Sequence, residues 1–274
     1  MKNITSIETY IVDSFTDEPF KGNPAGVCIL KQKLKDDTML SIAGELGLSE
    51  TAFITKTGRS NSYNIRYFSP VMEIPLCGHA TLASSKIVFD KDDTLDEIRF
   101  HTIQDLDLQI QKDRDMIIME FPVYETMPAE APELLLKALG IDEILNCEYN
   151  EETKILLLEI EDSRYLSKLK PDFAALYRSH DSINGVLITA PSAREGFDFE
   201  SRYFWPWSGT NEDPVTGGTH TFLTKYWSKR LGKTRMKSFQ CSGRTGFMEV
   251  ELIGNQKLLI TSMASIIFEG RLRI

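Results

Sequence analysis

The 274-residue chain is 42% hydrophobic and 26% charged, an ordinary globular balance that allows one large domain or two medium ones. A formal net charge of −9 argues against a nucleic-acid surface, which needs a basic face. The one basic stretch (Lys225, Lys229, Arg230, Lys233, Arg235 and Lys237) reads as a solvated helix face and the turn after it.

Residues 1–5 carry no apolar run, so no signal peptide is expected, and no apolar segment approaches the length that spans a bilayer. Four cysteines (Cys28, Cys77, Cys147, Cys241) lack CxxC or zinc spacing, which points to a reduced, cytoplasmic protein with Cys28 in its core.

In chain order, residues 9–12 and 25–30 read as a β-hairpin whose loop holds Pro19, Gly22, Asn23 and Pro24. Asp36 or Asp37 is the expected cap of a helix running through Met39, Leu40, Ile42, Ala43 and Leu46, with Gly47 as its C-cap. Residues 51–55 and 63–68 are the next strands, followed by a glycine turn at Gly78 and a helix through Leu82, Ala83, Ile87 and Val88. Leu106, Leu108 and Ile110 alternate with polar residues, and 116–119 pairs back after the turn at 113–115.

Pro122, Pro128 and Pro132 mark a linker. The order then repeats: a strand at 155–158, a helix at 172–178, a strand at 185–189 matching 51–55, and a strand at 197–204. A second glycine turn, a helix from Thr219 to about Arg230 and a hairpin at Gly254-Asn255 follow. A last strand at 266–268 is expected to cross back and close the first half. The expected domains are 1–120, completed by 263–274, and 121–262. The class is α+β, two similar domains, each a barrel-like sheet wrapped around a central helix.

A duplicated phrase supports that division. Arg66-Tyr67-Phe68-Ser69-Pro70 leads to Pro75-Leu76-Cys77-Gly78-His79-Ala80-Thr81, and Arg202-Tyr203-Phe204-Trp205-Pro206 leads to Pro214-Val215-Thr216-Gly217-Gly218-Thr219-His220. The spacing exceeds any stacked-repeat period. Each glycine turn opens a helix whose free N–H groups and dipole suit a carboxylate or phosphate. Gly78 and Gly217 could equally be plain turn-formers before buried helices; the duplication of the whole phrase favours a site.

Glu50 lies between Gly47 and an apolar strand, where desolvation is expected to raise its pKa and suit it to base work. Its counterpart in the second half reads as Asn184. Cys77 precedes the first turn, where a helix N-terminus favours thiolate, and its counterpart reads as Val215. His79 is placed to donate a hydrogen bond or shuttle a proton. Asp213 could hold a substrate ammonium or hydroxyl, or serve only as a turn-former before Pro214. His220, one residue deeper in its helix than His79, reads as a core residue.

Four blocks then carry a resemblance: Gly22-Asn23-Pro24-Ala25-Gly26-Val27, Ser49-Glu50-Thr51-Ala52-Phe53, Cys77-Gly78-His79-Ala80-Thr81 and Glu212-Asp213-Pro214-Val215-Thr216-Gly217-Gly218. Together, in this order, they resemble the PhzF family of phenazine-biosynthesis-like isomerases, within the diaminopimelate-epimerase-like fold. The likeness runs from about Ile7 to Leu272. It implies an active site between two similar domains, a homodimer, and neither metal nor organic cofactor. It implies Glu50 as proton carrier with His79 and Asp213 as catalytic partners. Asn23, Cys77, Gly78, Thr216, Gly217 and Gly218 would bind a small-molecule carboxylate; no nucleic acid and no membrane is expected as a partner. The family's second turn commonly reads Thr-Gly-Ser where this chain has Gly218, and Ala80 replaces the usual proline. Diaminopimelate epimerase begins each turn with a cysteine; here only Cys77 is present. The resulting reading is a cofactor-independent isomerase using Glu50, with a one-thiol epimerase using Cys77 and a non-catalytic small-molecule binder as alternatives.

Overall fold

The structure is a computed structural model that describes residues 6–59 and 61–274; the reading of residues 1–5 lies outside the described residues. The chain divides into two compact units, residues 1–120 with 261–274, and residues 121–260.

In the first unit, β1 (Ser6–Ser14) pairs antiparallel with β2 (Asn23–Leu30), the hairpin read from the sequence. A crossover through α1 (Asp36–Leu46) brings β3 (Glu50–Lys56) parallel to β2, and β4 (Ser62–Phe68) returns antiparallel to β3. A two-residue strand β5 (Glu73–Ile74) pairs back on β4 and leads into α2 (Gly78–Lys91). Helix α2 is the crossover to β6 (Glu97–His101), which runs parallel to β4; β7 (Asp107–Asp113) and β8 (Met116–Pro122) continue antiparallel.

The second unit repeats these pairings. After β9 (Met127–Pro128) and α3 (Glu133–Leu139), β10 (Asn146–Asn150) is antiparallel to β11 (Ile155–Glu159). Two short helices, α4 (Ser163–Leu166) and α5 (Phe173–Arg178), form the crossover that sets β12 (Gly185–Pro191) parallel to β11. Strand β13 (Phe199–Trp205) is antiparallel to β12, and β14 (Thr210–Asp213) pairs back on it. Helix α6 (His220–Leu231) then crosses to β15 (Arg235–Gln240), parallel to β13, and β16 (Gly246–Ile253) is antiparallel to β15. Beyond Gly254, whose φ of 64° makes the turn, comes β17 (Lys257–Ser262). The last strand, β18 (Ala264–Arg273), pairs antiparallel with β1 along its length.

Each long crossover helix is enclosed. Every α2 residue from His79 to Ser85 is buried, and the helix packs against β1, β2, β3 and β18. Along that buried stretch polar side chains must be satisfied within the helix: Ser84 and Ser85 donate to the carbonyls of Ala80 and Thr81 one turn back. Helix α6 buries residues 220–224, Tyr226 and Trp227, with Trp227 stacked on Phe199. Helix α1 instead covers one side of a smaller cluster made by Ile7, Cys28, Leu30, Met39, Ile42, Ala43, Phe53 and Phe68. Among the described residues no helix is long and apolar enough to cross a membrane.

Two expectations about helix ends need correction. The cap of α1 is Lys35, not Asp36 or Asp37; both acids lie in the first helical turn, where the dipole favours them. The second glycine turn does not open directly into its helix. Amide N–H groups of His220 and Thr221 bond to the carbonyls of Gly217 and Gly218, three residues back, and the regular helix starts at His220.

Candidate active site

The repeated Arg-Tyr-Phe phrase lies on β4 and on β13, and its first job is mechanical. Arg66 grips Glu73 with both arms of its guanidinium, at 2.7 and 2.6 Å; Arg202 grips Glu212 in the same way at 2.7 and 2.8 Å. Each glutamate sits on the short strand ahead of a glycine turn, so each fork ties that turn to the sheet. Each arginine also lies over the phenylalanine two residues on, 5.1 Å and 4.8 Å from the ring centre.

These anchors set the correspondence between copies and correct two pairings. Cys77 lies four positions after Glu73 and Thr216 four after Glu212, so the counterpart of Cys77 is Thr216 rather than Val215. The carbonyls of Cys77 and Thr216 agree, each taking a hydrogen bond from the side chain four residues later, Thr81 or His220. Likewise Thr51 pairs with Phe68 and Val186 with Phe204, which makes Gly185, not Asn184, the counterpart of Glu50. A Cβ on Gly185 would meet the Tyr203 ring at 2.5 Å. The second copy has no room for a side chain where the first carries its glutamate.

In the first unit three reactive side chains converge. Cys77 caps α2 in an extended conformation and His79 is the second residue of that helix; both are buried. Nε2 of His79 is 3.1 Å from Oε2 of Glu50, at the start of β3, and Nδ1 is 3.4 Å from Sγ of Cys77. Ser49 Oγ lies 3.5 Å from Nε2. The buried Ser14 hydroxyl donates to the His79 carbonyl at 2.7 Å and ties β1 to the first turn of the helix.

Burial pushes the Glu50 carboxyl up, as its position suggested, yet the His79 hydrogen bond and charge, with the Ser49 hydroxyl, outweigh it. The carboxyl is held below its ordinary value, the reverse of the sequence expectation. Burial likewise opposes charge on His79, but Cys77 and Glu50 on either side of the ring hold its pKa well above the usual one. Both directions favour the carboxylate–imidazolium form of the pair. Above it, the first intrahelical bond runs from Thr81 N–H to the Cys77 carbonyl, which leaves the amides of Gly78, His79 and Ala80 outside the helix's own ladder. Asn23 is fully buried at the start of β2, next to Gly22, whose φ of 68° and near contact with the Ser14 carbonyl admit only glycine.

In the second unit the hydroxyl of Thr216 donates to the Asp213 carboxylate. Gln240, on β15, brackets the turn: its amide nitrogen donates to the Asp213 carbonyl and its oxygen accepts from Thr216 N–H. His220 is fully buried; its Nδ1 is 3.0 Å from the Thr216 carbonyl and its Nε2 is 2.9 Å from Ser238 Oγ. Burial lowers its pKa to about 4, so it is a neutral strut. A Cβ at Gly218 would meet nothing within 4 Å.

Ser14, Gln240 and Ser238 carry no local signal in the sequence, since each reaches its turn from a distant strand. The two glutamates of the forks could have been found, because each sits four residues before the residue that starts its turn. Among the described residues, Glu50, Cys77 and His79 are the one group of three or more His, Cys, Asp or Glu side chains close enough to share a metal ion, with ligand atoms all within 4.8 Å of one another.

The fold is that of the diaminopimelate-epimerase-like proteins, with each unit built on the same strand pairings around an enclosed helix. A family model described as phenazine biosynthesis-like protein matches residues 12–270, and the chain belongs to that family. An uncharacterised isomerase of Pseudomonas aeruginosa is 41% identical over 96% of this chain and 97% of its own length. A solved Enterococcus faecalis structure described as a PhzF-family phenazine biosynthesis protein superposes with a TM-score of 0.90 at 36% identity, covering 98% of this chain and all of that one. A Pseudomonas aeruginosa protein described as a predicted epimerase shares the fold, with a TM-score of 0.71 at 16% identity over 97% of this chain and 99% of its own.

Proposed function

We propose that this isomerase-family chain moves a carbon-bound proton on a small carboxylate without a cofactor, and that Glu50 is the group that carries the proton. The observation behind this reading is the Glu50–His79 pair at the N-terminal end of α2. An ionised carboxylate beside a fixed imidazolium can accept a proton without first losing its own. In the proposed step Glu50 takes the proton, and the C–H electron pair moves into the substrate's conjugated system as an enolate-like anion. The protonated Glu50 then returns the proton to a second carbon, so charge and atoms balance. Amides of Gly78 and His79 are suited to the developing negative charge, being oriented donors that need no rearrangement.

Asp213, Thr216, Gly217 and Gly218 are assigned to substrate binding, with Asp213 as a catalytic partner. Support comes from the way Gln240 and His220 brace that turn. Asn23 joins them as a binding residue from its place beside Gly22.

A thermal-shift screen of small carboxylates, followed by turnover of the hits in deuterated water, tests the reading. The product should carry deuterium at a carbon position or show internal return of the proton. Glu50→Gln should slow turnover on the order of a hundredfold to ten-thousandfold; full turnover by that variant would sink the assignment. The 3.4 Å contact between Cys77 and His79 favours one second reading, a one-thiol epimerase. Cys77→Ala separates the two, since a Glu50 isomerase survives it.

A further inference from the structure

We propose that Glu50, Cys77 and His79 form a binding site for a thiophilic divalent cation such as zinc, and that the cation and the proton-transfer chemistry exclude each other. The site is drawn from three different ligand types: an imidazole, a thiol and a carboxylate, carried by two elements, β3 and the start of α2. That combination suits zinc and cobalt(II) and is poorly matched to magnesium or calcium, which take oxygen ligands.

The spacing fits. Zinc bonds of about 2.0–2.3 Å in a tetrahedral site place ligand atoms roughly 3.2–3.7 Å apart. Nε2 of His79 is 3.1 Å from Glu50 Oε2 and 3.9 Å from Cys77 Sγ, so a cation bound to that nitrogen reaches both neighbours with small side-chain rotations. Backbone support is already present: the Ser14 hydroxyl holds the His79 carbonyl, and Cys77 is fixed as the helix cap. Three protein ligands leave the fourth position to water or to a carboxylate.

Binding has a direct chemical consequence, which rests on the Glu50 reading above. Coordination releases the proton that His79 Nε2 holds towards Glu50, takes that nitrogen, and occupies the carboxylate lone pair that would take the carbon-bound proton. The cation is therefore an inhibitor of the proton shift and not its cofactor. Other candidates compete poorly. His101 touches two carboxylates, Asp105 and Asp107, but through opposite ring nitrogens and on the surface. Cys28, Cys147 and Cys241 are buried away from such a group.

Cobalt(II) is the probe, titrated into the reduced full-length chain in a non-chelating buffer. One equivalent should bind with a near-ultraviolet thiolate-to-cobalt charge-transfer band, and zinc should displace it. Cys77→Ser should remove the band, and Glu50→Gln should weaken binding by more than the roughly 10–100-fold that loss of an outer-shell partner costs. His101→Ala should leave both unchanged. Circular dichroism of each variant verifies that it is folded. A band that persists in Cys77→Ser, or no band in the folded wild-type chain, overturns the proposal. The spectrum needs no turnover: full activity in Glu50→Gln would remove the mechanism and leave the wild-type band unaffected, whereas a missing wild-type band would leave deuterium exchange untouched.

Discussion

Nε2 of His79 and Oε2 of Glu50 stand 3.1 Å apart, with both side chains largely shielded from water. Removing either partner strands the other's charge in a desolvated place. Glu50→Gln and His79→Gln should each lower the unfolding free energy by about 1–3 kcal/mol, and the double variant should lose less than the sum of the two. A urea double-mutant cycle reads the coupling, and strict additivity would mean that the contact stores no energy.

The two arginine forks should differ in weight. Arg202 has 9% of its side chain exposed against 16% for Arg66, and its guanidinium also donates to the carbonyls of Leu166 and Leu169. Arg202→Met should destabilise by about 3–5 kcal/mol, the range for breaking a buried ion pair. Arg66→Met, whose second partner Asp36 is exposed, should lose less. Chemical denaturation of the two variants ranks them, and equal losses would contradict the account.

His220 makes stability depend on pH. Its pKa is lowered from 6.5 to about 4, so the folded state resists a proton that the unfolded chain accepts. The contribution is complete above the unfolded value and is lost as pH falls from about 6.5 towards 4. From pH 7.5 to pH 5 this one group should remove about 2 kcal/mol. His220→Asn, which keeps a donor towards the Thr216 carbonyl but does not titrate, should show a flatter loss of stability with acid. Urea midpoints at the two pH values compare the slopes.

Gly185 and Gly218 should respond in opposite ways to an added side chain. Gly185→Ala places a methyl against the Tyr203 ring and should cost about 1–3 kcal/mol, the usual penalty for overpacking. Gly218→Ser meets open space and should leave the melting temperature within a degree or two of wild type, about what a change under 0.5 kcal/mol produces. If Gly218→Ser also shifts which carboxylates stabilise the protein, the turn contacts the ligand.

Much of this architecture is written in local patterns. The hairpin of β1 and β2, the C-cap at Gly47 and the buried helix after Gly78 follow from turn residues and apolar spacing. The one-residue slip that set Glu50 opposite Asn184 arose because 185–189 and 51–55 are both continuous apolar runs; alternation cannot set register when both faces are buried. The slip at Cys77 has a different source. A 3-10 turn over Pro206–Ser208 lengthens the second loop, so the phrase itself cannot align the two turns, whereas the sheet pairing of Glu73 and Glu212 does. The sign of the Glu50 shift could not be read either, since His79, 29 residues away, together with Ser49 outweighs the desolvation its own position supplies.

Glu50 and Cys77 have no titratable counterpart at the matching positions of the second copy, and this bears on stereochemistry. Where two opposed groups serve a carbon centre, the hydrogen leaves one face and its replacement arrives at the other, and configuration inverts. The second copy has Thr216 in its turn and Gly185 at the start of β12, where the first has Cys77 in its turn and Glu50 at the start of β3. Under the Glu50 reading a single carboxylate both collects and delivers the hydrogen. Migration along one face of the substrate is then the expected course, and a chirally deuterated substrate would record it.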